Sequence, residues 1–527
     1  MSKADTFIGS LDQGTTSTRF IIYDYNFKVV GSHQIEFTQH HPHPGWVEHD
    51  PMEILSTAWN CIGTAIDKAT ANGYNIDDGL KAIGLTNQRE TTVVWRKSTG
   101  KPLYNAIVWM DVRTSEICRR LEQQLPGERK HFVETCGLPI STYFSALKFM
   151  WMMENVEGVK EAVNSGDALF GTIDSWLIWN MTGTARGSDP GEGKINGLHV
   201  TDCSNASRTM LMNLATLDWD LPTLETLGIP PHVLPKIVSN AEIIGKVAAG
   251  WPITGVPIAG CLGDQHAATL GQGCRKGEVK STYGTGAFIL MNTGEAHVKS
   301  TNGLLTTLAY KLGPDAKPNY ALEGSIAIAG AAVRWLRDGL GLIHNSSEVE
   351  GLAKTVTDCG GVYFVPAFSG LFAPWWREDA RGVCVGITGY TNKGHIARAV
   401  LEGICFQVKD VIDAMYQDSS VGEKSELVLR VDGGASVNNL LMQIQSDLLG
   451  TAVARPHDIE TTALGAALAA GLAAGVWTEE QIFSAGDHHE SAKMFCPMMA
   501  DEKRVKKCEA WYEAVSRTFD LAEIQDS

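Results

Sequence analysis

Short apolar runs broken by Gly/Ser/Thr turns alternate with longer amphipathic stretches along the whole chain, and that alternation predicts an α/β protein. Residues 6–13 and 19–24 read as two strands, and the Gly-Thr-Thr-Ser-Thr between them is turn chemistry. A third strand is predicted over about 28–37, a helix over about 52–72 and a buried strand over 81–88. The second half repeats this order. Residues 277–283 predict a strand, Gly284-Thr285-Gly286 a turn and 287–292 a strand. Strands over 306–312 and 319–323 and a helix over about 325–340 follow. Two similar hairpins opening two similar halves imply an internal duplication with a period of about 270 residues, too long for a solenoid. The pattern therefore predicts two related domains facing a cleft, 1–273 and 274–527, with the boundary near residues 270–277.

Late in the chain, residues 426–431 predict a strand that runs into Asp432-Gly433-Gly434-Ala435. A helix over 436–449 from a Ser N-cap and another over 461–474 come next. The Gly/Ser/Asp-rich stretch 183–197 reads as a surface loop. Residues 462–477 form the one long apolar stretch, Ala/Gly-rich and shorter than the ~20 residues that span a bilayer. It is expected as a tightly packed core helix.

Charge narrows the partners. With 44 Lys+Arg against 60 Asp+Glu the net charge is −16, and no basic run with interleaved aromatics offsets it, so nucleic acid is not an expected partner. A mean hydropathy of −0.07 excludes a multi-span membrane protein, and 44% hydrophobic residues exclude a disordered chain. The eleven cysteines include no CxxC pair and read as scattered reduced thiols. No apolar signal core precedes Asp12, and the last three residues are not a peroxisomal SKL address, so a cytoplasmic protein is expected.

The chain has no GxxxxGK[ST] and no GxGxxG after a strand, which disfavours P-loop, protein-kinase and dinucleotide chemistry. Asp12-Gln13-Gly14-Thr15-Thr16-Ser17-Thr18-Arg19 instead offers exposed amides and hydroxyls for phosphate oxygens, with an acid beside them for Mg²⁺. Gly284-Thr285-Gly286 repeats the motif in miniature. Two facing hairpins of this kind can grip one polyphosphate. Arg89-Glu90, where one strand ends and another starts, pairs fixed donors with a charged acceptor and suits the adjacent hydroxyls of a polyol. As an ordinary surface ion pair the same two residues would contribute only ~0–1 kcal/mol. Asp264 leaves the apolar strand 256–261 and is placed as a general base or metal ligand. The Gly433-Gly434 turn lets a flat ring approach the backbone.

The set LDQGTTSTR, PGWVEHDP (44–51), GLTNQRETTVVW (84–95), GDQHAA, TYGTGAF (282–288), RVDGGASVNN (430–439) and TALGAA (462–467) closely resembles the glycerol-phosphorylating members of the FGGY carbohydrate kinases. Matching segments run in order over about residues 6–477. The resemblance implies two actin-like, ribonuclease H-like α/β domains of the actin, hexokinase and Hsp70 superfamily around a central cleft. It implies ATP-dependent phosphorylation of glycerol, with Mg²⁺ held by Asp12 and Asp264 and with Asp264 as general base. Glycerol would be held by Arg89, Glu90, Tyr143, Asp264 and Gln265, its carbons against Trp109 and Phe288. The ATP phosphates would meet Thr15, Thr16, Ser17 and Arg19 on one side and Gly284 and Thr285 on the other. Adenosine would rest on Gly434 and Asn438, near Gly330 and Arg334. A homodimer or a homotetramer is the assembly the resemblance leaves open. Bacterial relatives bind fructose 1,6-bisphosphate through a Gly-Arg loop, and the stretch 245–251 lacks that Arg, so insensitivity to this effector is expected. The rival readings are a kinase of xylulose, ribulose or gluconate in the same family, and a nucleotide-driven binding module like Hsp70 or actin.

Overall fold

A computed structural model describes residues 6–183, 197–419, 424–486 and 492–524, so most of the stretch predicted as a loop at 183–197, and the last three residues, lie outside the described part. Two mixed sheets organise the chain. The first contains β1 (Phe7–Gln13), β2 (Ser17–Asp24), β3 (Val29–Glu36), β4 (Leu80–Asn87), β5 (Ala241–Lys246) and β6 (Pro257–Gly263), in the order β5-β6-β4-β1-β2-β3. The second contains β7 (Val279–Tyr283), β8 (Ala287–Gly294), β9 (Leu305–Tyr310), β10 (Asn319–Ile326), β11 (Val428–Asp432), β12 (Ala452–Arg455) and β13 (Lys493–Phe495), in the order β9-β10-β8-β7-β11-β12-β13.

The two sheets repeat one topology. In each, a hairpin (β1-β2, β7-β8) adds a third antiparallel strand (β3, β10) on one side and two parallel strands (β4 and β6, β11 and β12) on the other. An antiparallel edge strand closes the far side of each. β9 is an addition in the second sheet, next to β10.

Alternation along the strands sorts side chains between two cores. Phe20 and Ile22 of β2 pack with Ile54, Leu55 and Ala58 of the helix α1 (Pro51–Ala71), whose first turn is capped by Asp50 accepting from the Met52 amide at 2.8 Å. Ile21 and Tyr23 face the other way, with Ala82 and Leu262, against α2 (Asp264–Gly271) and a helix from the second half, residues Thr461–Ala473. These two helices meet backbone to backbone. A β-carbon on Gly465 would stand 1.8 Å from the Ala267 carbonyl oxygen, and one on Gly271 would stand 1.9 Å from that of Thr461. The Ala/Gly composition that excluded a membrane span is what the crossing requires. No described helix is long and apolar enough to cross a membrane. All eleven cysteines are free, and eight are buried.

Two predicted boundaries are corrected. The helix expected over 325–340 is the short α3 (Gly330–Asp338), because β10 runs on to Ile326 with Ser325 still paired to Phe288. Ser436 does not cap a helix. It lies in a 3₁₀ turn and donates to the Gly433 carbonyl, and Asn438 caps α5 (Asn439–Leu449) by accepting from the Leu441 amide at 3.0 Å. Between them in sequence, α4 (Lys393–Asp418) lies on the second sheet, and Thr461–Ala473 follows as α6.

Candidate functional site

The strand ends decide where polar chemistry gathers. Gln13 of β1, Asn87 of β4 and Gly263 of β6 stand in register, so three parallel strands finish on one line. The residues after them, Gly14 to Ser17, Gln88-Arg89-Glu90 and Asp264-Gln265, leave from one edge of the sheet. In the second sheet Thr282 faces Asp432, and the turns at Gly284 and Gly433 leave in the same way.

Arg89 crosses over Gly263, where a β-carbon would lie 2.6 Å from its Cγ, so only glycine admits it. Its guanidinium forks onto Glu323 of β10, with Nη1 2.6 Å from Oε2 and Nη2 2.9 Å from Oε1, and its Nε lies 3.2 Å from Asp264 Oδ1. Arg208 completes the cluster, with Nε 2.5 Å from Glu90 Oε1 and Nη2 3.2 Å from Glu323 Oε1. Arg89, Arg208, Glu90 and Glu323 are all fully or almost fully buried. Burial alone would push the Glu323 carboxyl up, but Arg208 and Arg89 overcome it and hold that carboxyl well below the usual range. Glu90 moves the other way: burial raises it despite Arg208 and Arg89. The Glu90 backbone adopts a φ of +59°, left-handed for a residue that is not glycine, and its carbonyl accepts from Ser145 Oγ at 3.0 Å and Thr92 Oγ1 at 2.9 Å.

Aromatic rings wall the same space. Trp109 lies edge-on to Phe288 with centroids 5.8 Å apart and 5.5 Å from Tyr143. Arg89 sits 5.8 Å from the Phe288 centroid and Arg208 5.5 Å from that of Tyr143. Gln265 turns its carbonyl to the ammonium of Lys280, a buried lysine that desolvation lowers to about 8. The seven residues assigned to an acceptor from the sequence thus gather in one place, drawn from both halves of the chain.

Asp264 opens α2, and its Oδ1 accepts from the Gln265 amide at 2.7 Å. Burial raises its carboxyl, against the pull of Arg89 and that amide. Asp12 is pushed up to about 6 by burial, opposed by Arg19 and aided by the charge of Asp264. Asp12 and Asp264 present the hard oxygen donors that a magnesium ion takes.

In the first hairpin the Gly14 amide donates to the Ser17 carbonyl at 2.9 Å, leaving Thr15 and Thr16 at the tip. Ser17 Oγ accepts from Gln34 at 2.8 Å. Arg19, opposite Asp12 in the ladder, donates to Gln34 Oε1 at 2.9 Å and pairs with Glu460 ahead of α6. The second hairpin faces a cleft of about 480 Å³. Gly284, Thr285, Gly330, Arg334, Gly434 and Asn438 all line it, and Arg334 donates to Thr285 Oγ1 at 3.0 Å. Apolar side chains of Val333, Val349, Leu401, Ile404 and Leu441 line it as well.

Sequence reasoning missed Arg208, Glu323 and Lys280, and missed Ser346 and Glu350 at the cleft. Glu323 carried a readable signal. It is the one charge in the strand NYALEGSI, and a lone acid in a buried strand requires a partner.

Both parts of one family match this chain: the N-terminal domain of the FGGY family of carbohydrate kinases over residues 7–271 and the C-terminal domain over 279–474. The chain belongs to that family. It is 68% identical to the glycerol kinase of Arabidopsis thaliana over 99% of this chain and 100% of that relative. It is 50% identical to a probable glycerol kinase of Dictyostelium discoideum over 99% of each. Its fold is similar to that of Plasmodium falciparum glycerol kinase solved with ADP, with a TM-score of 0.87 and 40% identity over 97% of this chain and 98% of that one. A gluconate kinase from Lactobacillus acidophilus shares the fold at a TM-score of 0.80 and 22% identity over 99% of this chain and 97% of that one.

Proposed function

We propose that this chain transfers the γ-phosphoryl group of ATP to a terminal hydroxyl of glycerol, giving sn-glycerol 3-phosphate and ADP. The observation that carries the reading is the position of Asp264, which leaves the same sheet edge as the first hairpin and lies 3.2 Å from Nε of Arg89 in the Arg89-Glu90 pair. The Asp264 carboxylate takes the proton of the attacking hydroxyl as that oxygen bonds to the γ-phosphorus in line, while the bond to the β,γ-bridging oxygen breaks and ADP departs. Its raised carboxyl suits a base that must hold a proton during transfer. Arg89 and Glu90 orient the glycerol hydroxyls, and Trp109 and Phe288 exclude water around its carbons. Amides of Thr15, Thr16, Gly284 and Thr285 offset charge on the phosphate oxygens, and Ser17 and Arg19 flank the first hairpin. Asp12 and Asp264 would hold a magnesium ion, which would supply charge neutralisation on the polyphosphate. Adenosine rests between Gly434, Asn438, Gly330 and Arg334.

The division of the chain at 273/274 belongs to the same reading, the first part binding glycerol and the second adenosine, as does a place in the cytoplasm. The Trp109–Phe288 pairing beside Arg89-Glu90 supports a three-carbon acceptor over a pentulose or gluconate. Coupled measurement of ADP release with MgATP and glycerol, dihydroxyacetone, xylulose or no acceptor tests it. Glycerol should give the highest kcat/KM. Faster turnover of the pentulose, or ADP release indifferent to any acceptor, would overturn it.

A further inference from the structure

The segment PGWVEHDP has no part in the mechanism above, yet one of its side chains closes a ring of hydrogen bonds between the two substrate subsites. His49 lies in the two-residue strand Glu48–His49, paired with Ala106 and one residue ahead of the Asp50 cap of α1, and it is fully buried. Its Nε2 lies 2.8 Å from Gln39 Oε1, and Gln39 Nε2 donates to the Thr15 carbonyl at 3.0 Å. On the other side, Nδ1 lies 3.2 Å from Gln88 Nε2, which also donates to the Gly14 carbonyl at 3.1 Å. Gln88 Oε1 accepts from Thr91 Oγ1 at 2.9 Å, and that hydroxyl accepts from the Trp109 amide at 3.2 Å. Trp109 Nε1 returns to Thr15 Oγ1 at 3.0 Å.

The partners of the two ring nitrogens fix the tautomer of His49. Gln39 spends its amide N–H on Thr15, so its oxygen accepts and the imidazole proton sits on Nε2. Gln88 takes the Thr91 hydroxyl on its oxygen and turns its amide nitrogen, whose two hydrogens are shared among Gln13 Oε1, the Gly14 carbonyl and Nδ1, toward His49, so Nδ1 carries no proton. His49 is therefore held as a neutral donor and acceptor. Burial, with His40 and His41 adding, lowers it to about 3 and keeps it so across the working range.

We propose that His49 is a positioning residue: through Gln39 and Gln88 it fixes Thr15 of the phosphate hairpin relative to Trp109 of the acceptor wall, and so sets the line between the attacking oxygen and the γ-phosphorus. This rests on the kinase reading above. A misplacement of about 1 Å between reacting groups can cost ~10²-fold in rate with little effect on binding either substrate. The ring spans that distance with short, directional contacts.

The test compares full-length His49→Leu, Gln39→Leu and His49→Gln with the unchanged chain. Gln39 is only partly buried, so its variant breaks the ring without emptying a core position. In both Leu variants kcat for glycerol phosphorylation should fall ~10- to 100-fold. The Kd of glycerol alone should stay within about twofold, and ADP released without glycerol phosphate should rise as a share of turnover. His49→Gln can return an N–H to Gln39 and should recover most of kcat. A kcat within twofold of the unchanged chain in folded Gln39→Leu, or a loss matched by an equal rise in the Kd of glycerol, would overturn the proposal. If His49→Leu does not fold, Gln39→Leu decides. If the unchanged chain prefers another acceptor, the substrate reading fails first, and the same ratios measured on that acceptor still judge the ring.

Discussion

The two ends of the cleft are built on opposite plans. At the acceptor end every charge is answered by another: Arg89 and Arg208 are shared among Glu323, Glu90 and Asp264, and Trp109 Nε1 and the Gln265 carbonyl already have protein partners. In the cleft proposed for the nucleotide, apolar side chains and glycine backbone form much of the lining, with Arg334, Glu350 and Asn438 among a few polar groups, and a β-carbon on Gly434 would meet nothing within 4 Å. A small polar acceptor has few atoms to recognise, so discrimination needs fixed charges whose partners are left stranded by a wrong ligand. A large flat base is held by shape and area, for which loose packing and backbone approach suffice. In the proposed reading, substrate choice therefore belongs to the acceptor end, and the cleft of the second half serves any acceptor alike.

The strongest break of that contrast is at the base. Asp264→Asn should lower kcat ~10²- to 10⁴-fold, measured by steady-state kinetics alongside a melting curve that matches the unchanged chain. Near-normal turnover would remove Asp264 from the role. Glu323→Gln should act next, on stability and on the acceptor together. It leaves two buried guanidiniums with too few counter-charges, a loss of ~3–5 kcal/mol when one partner of a buried pair goes. The thermal midpoint should drop and KM for glycerol rise while KM for ATP holds; equal rises in both would mean that the network serves the whole cleft. Gly434→Val is the mildest. Its side chain enters open space, so the melting curve should not move, while KM for ATP rises about tenfold, roughly 1.4 kcal/mol of lost contact, and KM for glycerol does not. An unchanged KM for ATP would place the adenosine elsewhere.

Much of this was legible in the residues because it is local. The hairpin at Gly14 to Ser17, the strand that runs into Arg89 and the helix opened by Asp264 each follow from alternation and turn chemistry within about ten positions. Their alignment is not local: the ladder sets Asn87 beside Gln13 and Gly263 beside Asn87 across long stretches of chain. Arg208 and Glu323 were not legible, because Glu90 and Arg89, which they neutralise, lie 118 and 234 positions away and no periodicity spans such gaps. The helix predicted from 325 failed for a related reason. Ser325 follows a helix-compatible run, but the pairing of β10 with β8 satisfies its backbone first, and that competition is tertiary. Ser436 and Asn438 are both good caps by composition, and the Gly433 carbonyl takes the serine hydroxyl.

The placement of α6 has a consequence for how the protein is made. Ala463, Ala467, Leu468 and Ala470 close one face of the first sheet over Ile8, Ala82 and Leu262, yet they are synthesised about 200 residues after that sheet's last strand. At roughly 5–20 residues per second a ribosome needs about 10–40 s to supply them. Through that interval the first half waits with an oily face uncovered, so chaperone dependence in the cell should be greatest for chains stalled between residues 263 and 473.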